Sequence, residues 1–429
     1  MTFPKLLPVR QKFPDRQIPN VADEVRKQLA AAEFAARVRP GAHIALGVGS
    51  RGIANIATIV RATVDYWKDA GCSPFVFPAM GSHGAATAAG QADVLAHYGV
   101  HAAAMGCPIL SSLDVVPLGE TSEGIGAFMD RNAYESDGVM LIGRVKWHTD
   151  FSGKLESGLF KMMAIGLGKF AGAQRYHAYA YRHPGFLEHI VRTVGRQVLT
   201  SGKILGGLAI LEDAHHHTAH LAAVPAAEME TQEEELLALA KSWMGRLPMP
   251  LDILIVDEMG KNISGAGMDT KVVNRSVFGG ANEWDTAPRI ERVFVRNLSD
   301  NTYGNAVGIG LADVIHDRLL EKVDWDATRI NVLTACSPRA AKVPLHFSSD
   351  RECLERFAPT TGRLTPAEVT FGWIRNSMEL AQLKLSENLR PEIEGNSLLE
   401  IIGPAEEMVF DGAGDLVGSP LLVEEVAAH

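Results

Sequence analysis

An α/β fold of two domains with mainly parallel sheets is what this sequence predicts, and three observations predict it. The chain has 429 residues, more than the roughly 250–300 at which a single core stops growing. Short apolar runs that end in glycine alternate with stretches of helical spacing, the pattern of parallel strands covered by helices. The alternation is interrupted once, at GRLPMP (245–250), where two prolines stand close behind a helical segment. The expected domains are therefore 1–246, holding cofactor and catalytic groups, and 250–429. The active site is expected in the interdomain cleft, at the carboxyl ends of the parallel strands.

Each element follows from its local pattern. The first 40 residues are polar and mixed, with helical spacing over 21–38. HIALGV (43–48) is apolar and runs into glycines, so it reads as a strand. Residues 53–71 have helical spacing and stop at Gly71. PFVFPAM (74–80) is the next strand, and 88–98 a helix ended by Gly99. VMLIGRV (139–145) and LGGLAIL (205–211) read as buried strands, with a helix over 185–199 between them. Beyond the prolines, LDILIVDEMG (251–260) opens a second alternating run. It continues with a helix near 305–321, a strand at RINVLTA (329–335), a helix near 366–385 and a strand at SLLEIIG (397–403).

Composition narrows the function. Apolar residues make up 46% and charged residues 21%, an ordinary globular balance. The net charge is −10, whereas a nucleic-acid footprint is basic, so no nucleic-acid partner is expected. Cys72, Cys107, Cys336 and Cys353 form no C-x-x-C pair, and read as free thiols of a reducing compartment. There is no secretory h-region and no run of about 18 apolar residues, so no membrane partner is expected. A cytoplasmic enzyme is the expectation.

Several motifs follow predicted strands. GVGSRG (47–52) fits G-x-G-x-x-G between a strand and a helix. Its amides, Gly49 among them, could hold a phosphate or carboxylate at the helix start, with Arg51 as a bidentate clamp. A dinucleotide site and a plain tight turn stay open, although the next strand ends without the acid that holds a ribose. PAMGSHG (78–84) sets His83 on a glycine turn ahead of a helix capped by Thr87. WHTDFSGKLESGLFKMMAIGLGKFAGAQRYH (147–177) brackets three lysines with His148 and His177. An apolar collar at Lys161 would favour covalent use; solvated surface lysines are the alternative. AHHHTAH (214–220) offers His216 and His220 at ligand spacing, but reads as a solvent-facing turn. The glycines of NTYGNAVGIGLADVIHDRL (301–319) serve either a ligand or packing. Arg339, Lys342 and His346 would suit an anionic substrate.

Read together, these residues resemble the nickel-pincer lactate racemase family. SGLFK (157–161) resembles its S-G-G-x-K segment, in which the lysine carries the cofactor. The resemblance implies that Lys161, with Ser157 and Gly158 before it, tethers a nickel-pincer nucleotide (pyridinium-3-thioamide-5-thiocarboxylic acid mononucleotide). It implies that His177, sixteen residues on, ligates the nickel, and that His83 and His148 are the acid/base pair. Arg51 matches the family's arginine after the first strand. Two α/β domains around a cleft is also the family's architecture. The chain departs at Val48, where the family has an aspartate, and in a histidine-to-lysine spacing about three residues longer. Lys154, after Ser152–Gly153, is thus a second tether candidate, and only Lys161 keeps the sixteen-residue distance. The second-domain glutamine and lysine of the family have no clean match. Lys261, Asp269, Lys271 and Asn274 stand in the corresponding place as weak substrate contacts.

The implied activity is racemisation or epimerisation of a 2-hydroxy acid, lactate-like or larger, such as a sugar acid. One histidine takes the hydroxyl proton as hydride leaves, and hydride returns to the other face of the planar keto acid. An imidazole pKa near 6.5 suits both directions. The resemblance also implies cofactor-synthesis and nickel-insertion proteins as partners, an apo form as isolated, and is compatible with an oligomer. Two other functions remain: an NAD-dependent oxidoreductase using GVGSRG, and a non-catalytic anion- or nucleotide-binding protein.

Overall fold

The computed structural model describes residues 2–49, 52–81, 83–183 and 185–421. The strands are β1 (Leu6–Gln11), β2 (His43–Val48), β3 (Ser73–Pro78), β4 (Val115–Glu120), β5 (Gly126–Asp130), β6 (Gly138–Arg144), β7 (Ile204–Glu212), β8 (Thr218–Pro225), β9 (Leu251–Met259), β10 (Ile290–Leu298), β11 (Val314–His316), β12 (Leu345–Phe347), β13 (Phe371–Ile374), β14 (Gln382–Ser386) and β15 (Leu399–Ile401). The helices used below are α1 (Val21–Ala31), α2 (Ile56–Asp69), α3 (Ala88–His97), α4 (Ala102–Met105), α5 (Arg131–Glu135), α6 (Leu159–Lys161), α7 (Lys169–Arg182), α8 (Leu187–Leu199), α9 (Met229–Trp243), α10 (Asp317–Glu321) and α11 (Trp325–Thr334). The chain forms two compact units, Asp15–Met244 and Met1–Pro14 with Gly245–His429.

In the unit Asp15–Met244 the sheet order is β3-β2-β6-β7-β8. All pairs are parallel except the β7–β8 hairpin at one edge. Strand alternation sorts the apolar residues onto two faces. Ile44, Leu46, Val48, Met140, Ile142, Leu208 and Ile210 pack with Val25 and Leu29 of α1, Ile59, Val60 and Trp67 of α2, and Leu95 of α3. Ala45, Val139, Leu141, Ala209 and Leu211 pack on the other face with Leu159, Phe160, Met163, Tyr176, Ile190, Val194 and Leu237. Each aliphatic side chain so buried contributes about 1.5–3 kcal/mol. The second face is therefore the floor beneath the segment that carries Lys161 and His177.

The other unit is built on an eight-stranded sheet, β12-β11-β10-β9-β13-β14-β1-β15. Its run from β12 to β13 is parallel, while β14, β1 and β15 pair antiparallel. Strand β1 belongs here, pairing with β14 and β15. The expected range 1–246 is corrected accordingly: β1 completes a sheet whose other strands all lie beyond residue 250.

Three elements of this unit differ from their sequence expectation. RINVLTA lies in helix α11, not a strand. Asp324 caps it by accepting the N–H groups of Asp326 and Ala327, and Thr328 and Val332 face inward while Ile330 and Leu333 are exposed. The expected helix near 305–321 is a pair of tight turns, then β11 and α10. Gly308 sits at φ +97, and a side chain there would strike the Ala266 carbonyl. The expected helix near 366–385 is instead β13 and β14, joined by a turn in which Asn376 accepts from the N–H groups of Met378 and Glu379.

Candidate active site

Strands β2 and β3 end level, Val48 standing opposite Pro78, and β6 runs from Ile142 opposite Val48 on to Arg144 at the same edge. The motifs therefore share the carboxyl edge of one parallel sheet, where α/β proteins bind ligands. Gly49 follows β2, and a side chain there would meet no described residue within 4 Å. Arg51 lies outside the described residues. Glu212, ending β7, accepts the Ala54 N–H at 2.9 Å and pairs with Arg144 at the end of β6.

His148 follows β6 and is fixed from three sides. Its backbone N–H donates to Glu156, its Nδ1 accepts the Asp150 N–H at 3.0 Å, and its ring lies 4.6 Å from that of Phe151. With Nδ1 occupied, Nε2 is the nitrogen that can exchange a proton. Glu156 is fully buried. It also accepts the Gly153 N–H at 2.9 Å and pairs with Lys241 of α9. The residues that lengthen the histidine-to-lysine spacing thus form a loop closed on an internal carboxylate.

Lys161 ends the short helix α6, and its Nζ is in hydrogen-bond contact with His148 Nε2. Ser157 precedes it, paired through its backbone with Lys146. Gly158 is needed for a close approach: a Cβ there would lie 2.3 Å from Glu233 Oε1. Glu233, from α9, is buried and accepts the Phe160 N–H at 3.0 Å, so it caps the turn that carries the lysine. A π-helical turn, Met162–Gly166, follows; such turns recur at functional sites. Lys154, the other tether candidate, is exposed on the loop.

Burial pushes the Glu233 carboxyl up to about 7, against the opposing pull of the Phe160 and Leu159 N–H groups and the Arg192 charge. The folded value lies above the unfolded one, so protonation favours the fold. That stabilisation is complete below about pH 4.5 and is lost as pH rises through 7. A rise from 4.5 to about 7 corresponds to about 3 kcal/mol. Urea unfolding across pH 4.5–8 is expected to show wild type losing that amount relative to Glu233→Gln. Parallel pH profiles for the two proteins would refute the assignment.

His83 sits on the turn after β3. Gly81 in that turn has φ +60, and a Cβ there would lie 2.9 Å from Ile165 Cγ2 of the π-turn. The His83 turn is thereby seated on the segment between Lys161 and His177. Gln91 of α3 holds it, donating to the carbonyls of Gly81 at 2.8 Å and His83 at 3.4 Å. Gln91 Oε1 accepts in turn from Lys169 Nζ at 3.3 Å. Lys169 also donates to the Pro78 carbonyl and pairs with Asp130 at 3.1 Å, both side chains being wholly buried. It adopts φ +52, a left-handed conformation that lysine rarely takes.

His177 lies on α7. Burial, then the charge of Lys161, hold its imidazole down to about 4, with Asp150 opposing. The ring is thus neutral at pH 7, and neither of its nitrogens hydrogen-bonds a described residue. The neighbouring Tyr176 ring packs edge-on at 5.3 Å. Its phenol is pushed up by burial and by the Asp150 charge. His148, Lys161 and His177 are therefore one constellation, and His83 stands on the turn packed beside it. Sequence reasoning missed Asp150, Tyr176, Glu156, Glu233, Asp130 and Lys169. Only Lys169 carried a local signal, as the third lysine between the two histidines.

The remaining candidates have other surroundings. In the second unit Lys261 Nζ donates to Asn331 at 2.6 Å. Asn274 is a loop anchor, not an available contact: its amide serves the carbonyls of Trp284, Ala287 and Pro288 and the Trp284 N–H. Asp269 and Lys271 are buried, Lys271 lying 5.0 Å over Trp284. Arg339 donates to the Phe278 carbonyl at 2.6 Å, His346 pairs with Asp317, and Lys342 is exposed. The histidine run forms the turn between β7 and β8. There Asp15, Asp213 and His217 bring ligand atoms within 4.8 Å, as do His316, Asp350 and Asp415 elsewhere. The second group is already neutralised by Arg296 and Arg318.

Fold and site together define a two-unit α/β protein with a lysine–histidine constellation at the carboxyl edge of a parallel sheet. Among solved structures the chain is similar to a Thermotoga maritima protein solved as a structural-genomics target. The identity is 10% and the TM-score 0.51, with 84% of this chain and 97% of that one covered. It is also similar to the lactate racemase apoprotein of Thermoanaerobacterium thermosaccharolyticum, at 12% identity and TM-score 0.45, covering 82% and 91%. At these identities the likeness is one of fold. No protein-family model and no curated protein matches the chain. No described helix is long and apolar enough to cross a membrane.

Proposed function

We propose that the protein is a racemase or epimerase of 2-hydroxy acids that works with a lysine-tethered nickel-pincer nucleotide. The observation that carries the reading is the contact of Lys161 with His148 beside a half-buried, neutral His177, on whose ring the Lys161 charge acts and which has no hydrogen-bond partner among the described residues. A neutral imidazole with a free lone pair is the form that ligates nickel. A lysine amine held against an imidazole, on a turn capped by a buried carboxyl, is placed for covalent attachment. The residues present thus fit the group: Lys161 would hold it covalently, and His177 would ligate its metal.

When bound, the group supplies a hydride acceptor, which the protein lacks. The chain's own residues do the rest. His148 Nε2 accepts the hydroxyl proton of one enantiomer and returns it, with the Asp150 N–H keeping Nδ1 occupied. His83 serves the opposite enantiomer from its glycine turn. Lys161, if it held the group covalently, would no longer present an ammonium to His148, and Nε2 would be left for substrate.

Protein co-produced with cofactor-making and nickel-inserting enzymes tests the reading. Intact mass and metal analysis are expected to give an added mass on the peptide containing Lys161 and one nickel per chain. Nickel should be lost in His177→Ala. Optical rotation over 2-hydroxy acids and aldonic acids then finds the substrate. An unmodified Lys161 peptide in fully matured protein would end the proposal.

A further inference from the structure

The histidine turn between β7 and β8 holds a second group of ligand atoms, none of them used by the reading above. Asp213 follows β7, its side chain 1% exposed. Its Oδ1 accepts the N–H groups of His215 and His217 at 2.9 and 3.0 Å, and its Oδ2 accepts the Arg16 N–H at 3.1 Å. The Asp213 N–H donates in turn to the His217 carbonyl at 3.1 Å. These bonds fix both ends of the turn and the start of the segment that carries Asp15. His217 Nδ1 then lies 3.5 Å from Asp15 Oδ1 and 3.9 Å from Asp213 Oδ2. Both distances exceed the hydrogen-bond range, which ends near about 3.2 Å, and Nδ1 is buried with no hydrogen-bond partner. Neither carboxylate pairs with a lysine or arginine among the described residues. His316, Asp350 and Asp415 differ, since Arg296 and Arg318 already balance their charge.

We propose that Asp15, Asp213 and His217 bind a divalent transition-metal ion of the zinc class, independently of the cofactor reading. Zinc bonds of about 2.0–2.2 Å set tetrahedral ligand atoms roughly 3.3–3.6 Å apart, and the spacings at His217 Nδ1 are close to that size. An ion pair alone would draw a protonated His217 to about 2.8 Å from one carboxylate; here the nitrogen stands between two. The ion would sit among the three ligand atoms, which themselves cover Nδ1, so it needs no water-sized opening there. An imidazole nitrogen beside two carboxylates favours zinc over magnesium or calcium, which take oxygen ligands. The N–H groups on Asp213, and the Gln17 N–H on Asp15 Oδ1 at 3.0 Å, are outer-shell bonds that orient ligating carboxylates. Asp15 is 69% exposed, which gives the ion a way in and leaves a place for water as fourth ligand. Bound there, the ion ties Asp15 to the turn that follows β7.

Tag-free apo protein, titrated with zinc chloride by calorimetry at about pH 8, where imidazole is neutral, tests the proposal. Wild type is expected to show a zinc site that persists in His177→Ala. Asp15→Asn and His217→Ala are expected to bind at that site at least about 100-fold more weakly, beyond the 10–100-fold lost with an outer-shell partner. Because Asp15 is exposed, Asp15→Asn should keep the metal-free melting temperature; zinc should raise that temperature in wild type and not in the variant. Zinc uptake unchanged in Asp15→Asn and His217→Ala would overturn the proposal, as would a wild type that takes up none. Uptake lost in His177→Ala would place the ion at the other site and overturn it as well. The cofactor reading is untouched by any of these results, since it stands on the added mass at Lys161.

Discussion

Loaded protein carrying His148→Ala is expected to turn over its 2-hydroxy acid about 10²–10⁴-fold more slowly than wild type, the usual worth of a positioned acid/base group. The added mass on the Lys161 peptide and the bound nickel should persist. His83→Ala is expected to behave alike. For a pair of enantiomers the equilibrium constant is one, so both directions must slow by the same factor in kcat/KM. Lys161→Ala differs in kind: it removes the attachment point, so mass, nickel and turnover should vanish together. Polarimetry with intact-mass measurement on the same samples checks the set. Loss of the Lys161 mass in His148→Ala would assign the histidine to attachment rather than to proton transfer. Full turnover in that variant would remove it from the mechanism. The contact between Lys161 and His148 makes this distinction worth drawing, since the two side chains touch.

Lys169→Met is expected to destabilise the protein by about 3–5 kcal/mol, because it strands a wholly buried Asp130 carboxylate. In thermal unfolding that is a loss of roughly 10 °C for a unit of this size. Burial already pushes the Asp130 carboxyl up and the Lys169 ammonium down, each acting against the other's charge. The pair is therefore held at a cost, and its return is geometric. Lys169 ties Asp130, at the end of β5, to the Pro78 carbonyl at the end of β3 and to Gln91, which holds the His83 turn. Adding Asp130→Asn should recover most of the lost stability, because no unpaired charge is left behind. Additive losses in the double variant would show that the two side chains do not act as a pair. The left-handed backbone at Lys169 is strain of about 1–3 kcal/mol that the ion pair must overcome.

The first unit was largely legible in the sequence. β2, β3, β6 and β7 and the helices between them follow from runs such as HIALGV and VMLIGRV, whose residues are apolar on both faces because both faces are covered. The second unit was less so. RINVLTA is short, apolar and rich in β-branched residues, and such a run cannot be told from a buried helix by period alone. The capping Asp324 was the missed signal. Residues 366–385 misled in the opposite sense, since two short strands with a turn between them imitate helical spacing. At the site, the sixteen-residue step from Lys161 to His177 was visible as spacing. The groups that set their chemistry were not. Glu233 lies 72 residues beyond Lys161 within TQEEELL, where nothing separates a buried acid from its solvated neighbours.

What the sequence by itself determined is the alternation of elements, the punctuation at 245–250 and the order of glycine, histidine and lysine motifs after the strands. These are properties of residues close in the chain: apolar period, glycine conformations and proline stops. What only the tertiary structure decided is which side chains share a desolvated space. It folded β1 onto strands nearly 400 residues away and placed Glu233 under the lysine turn. It paired Lys169 with Asp130 and set a neutral His177 beside Lys161. Desolvation and close pairing act over a few ångströms of space, whatever the distance along the chain.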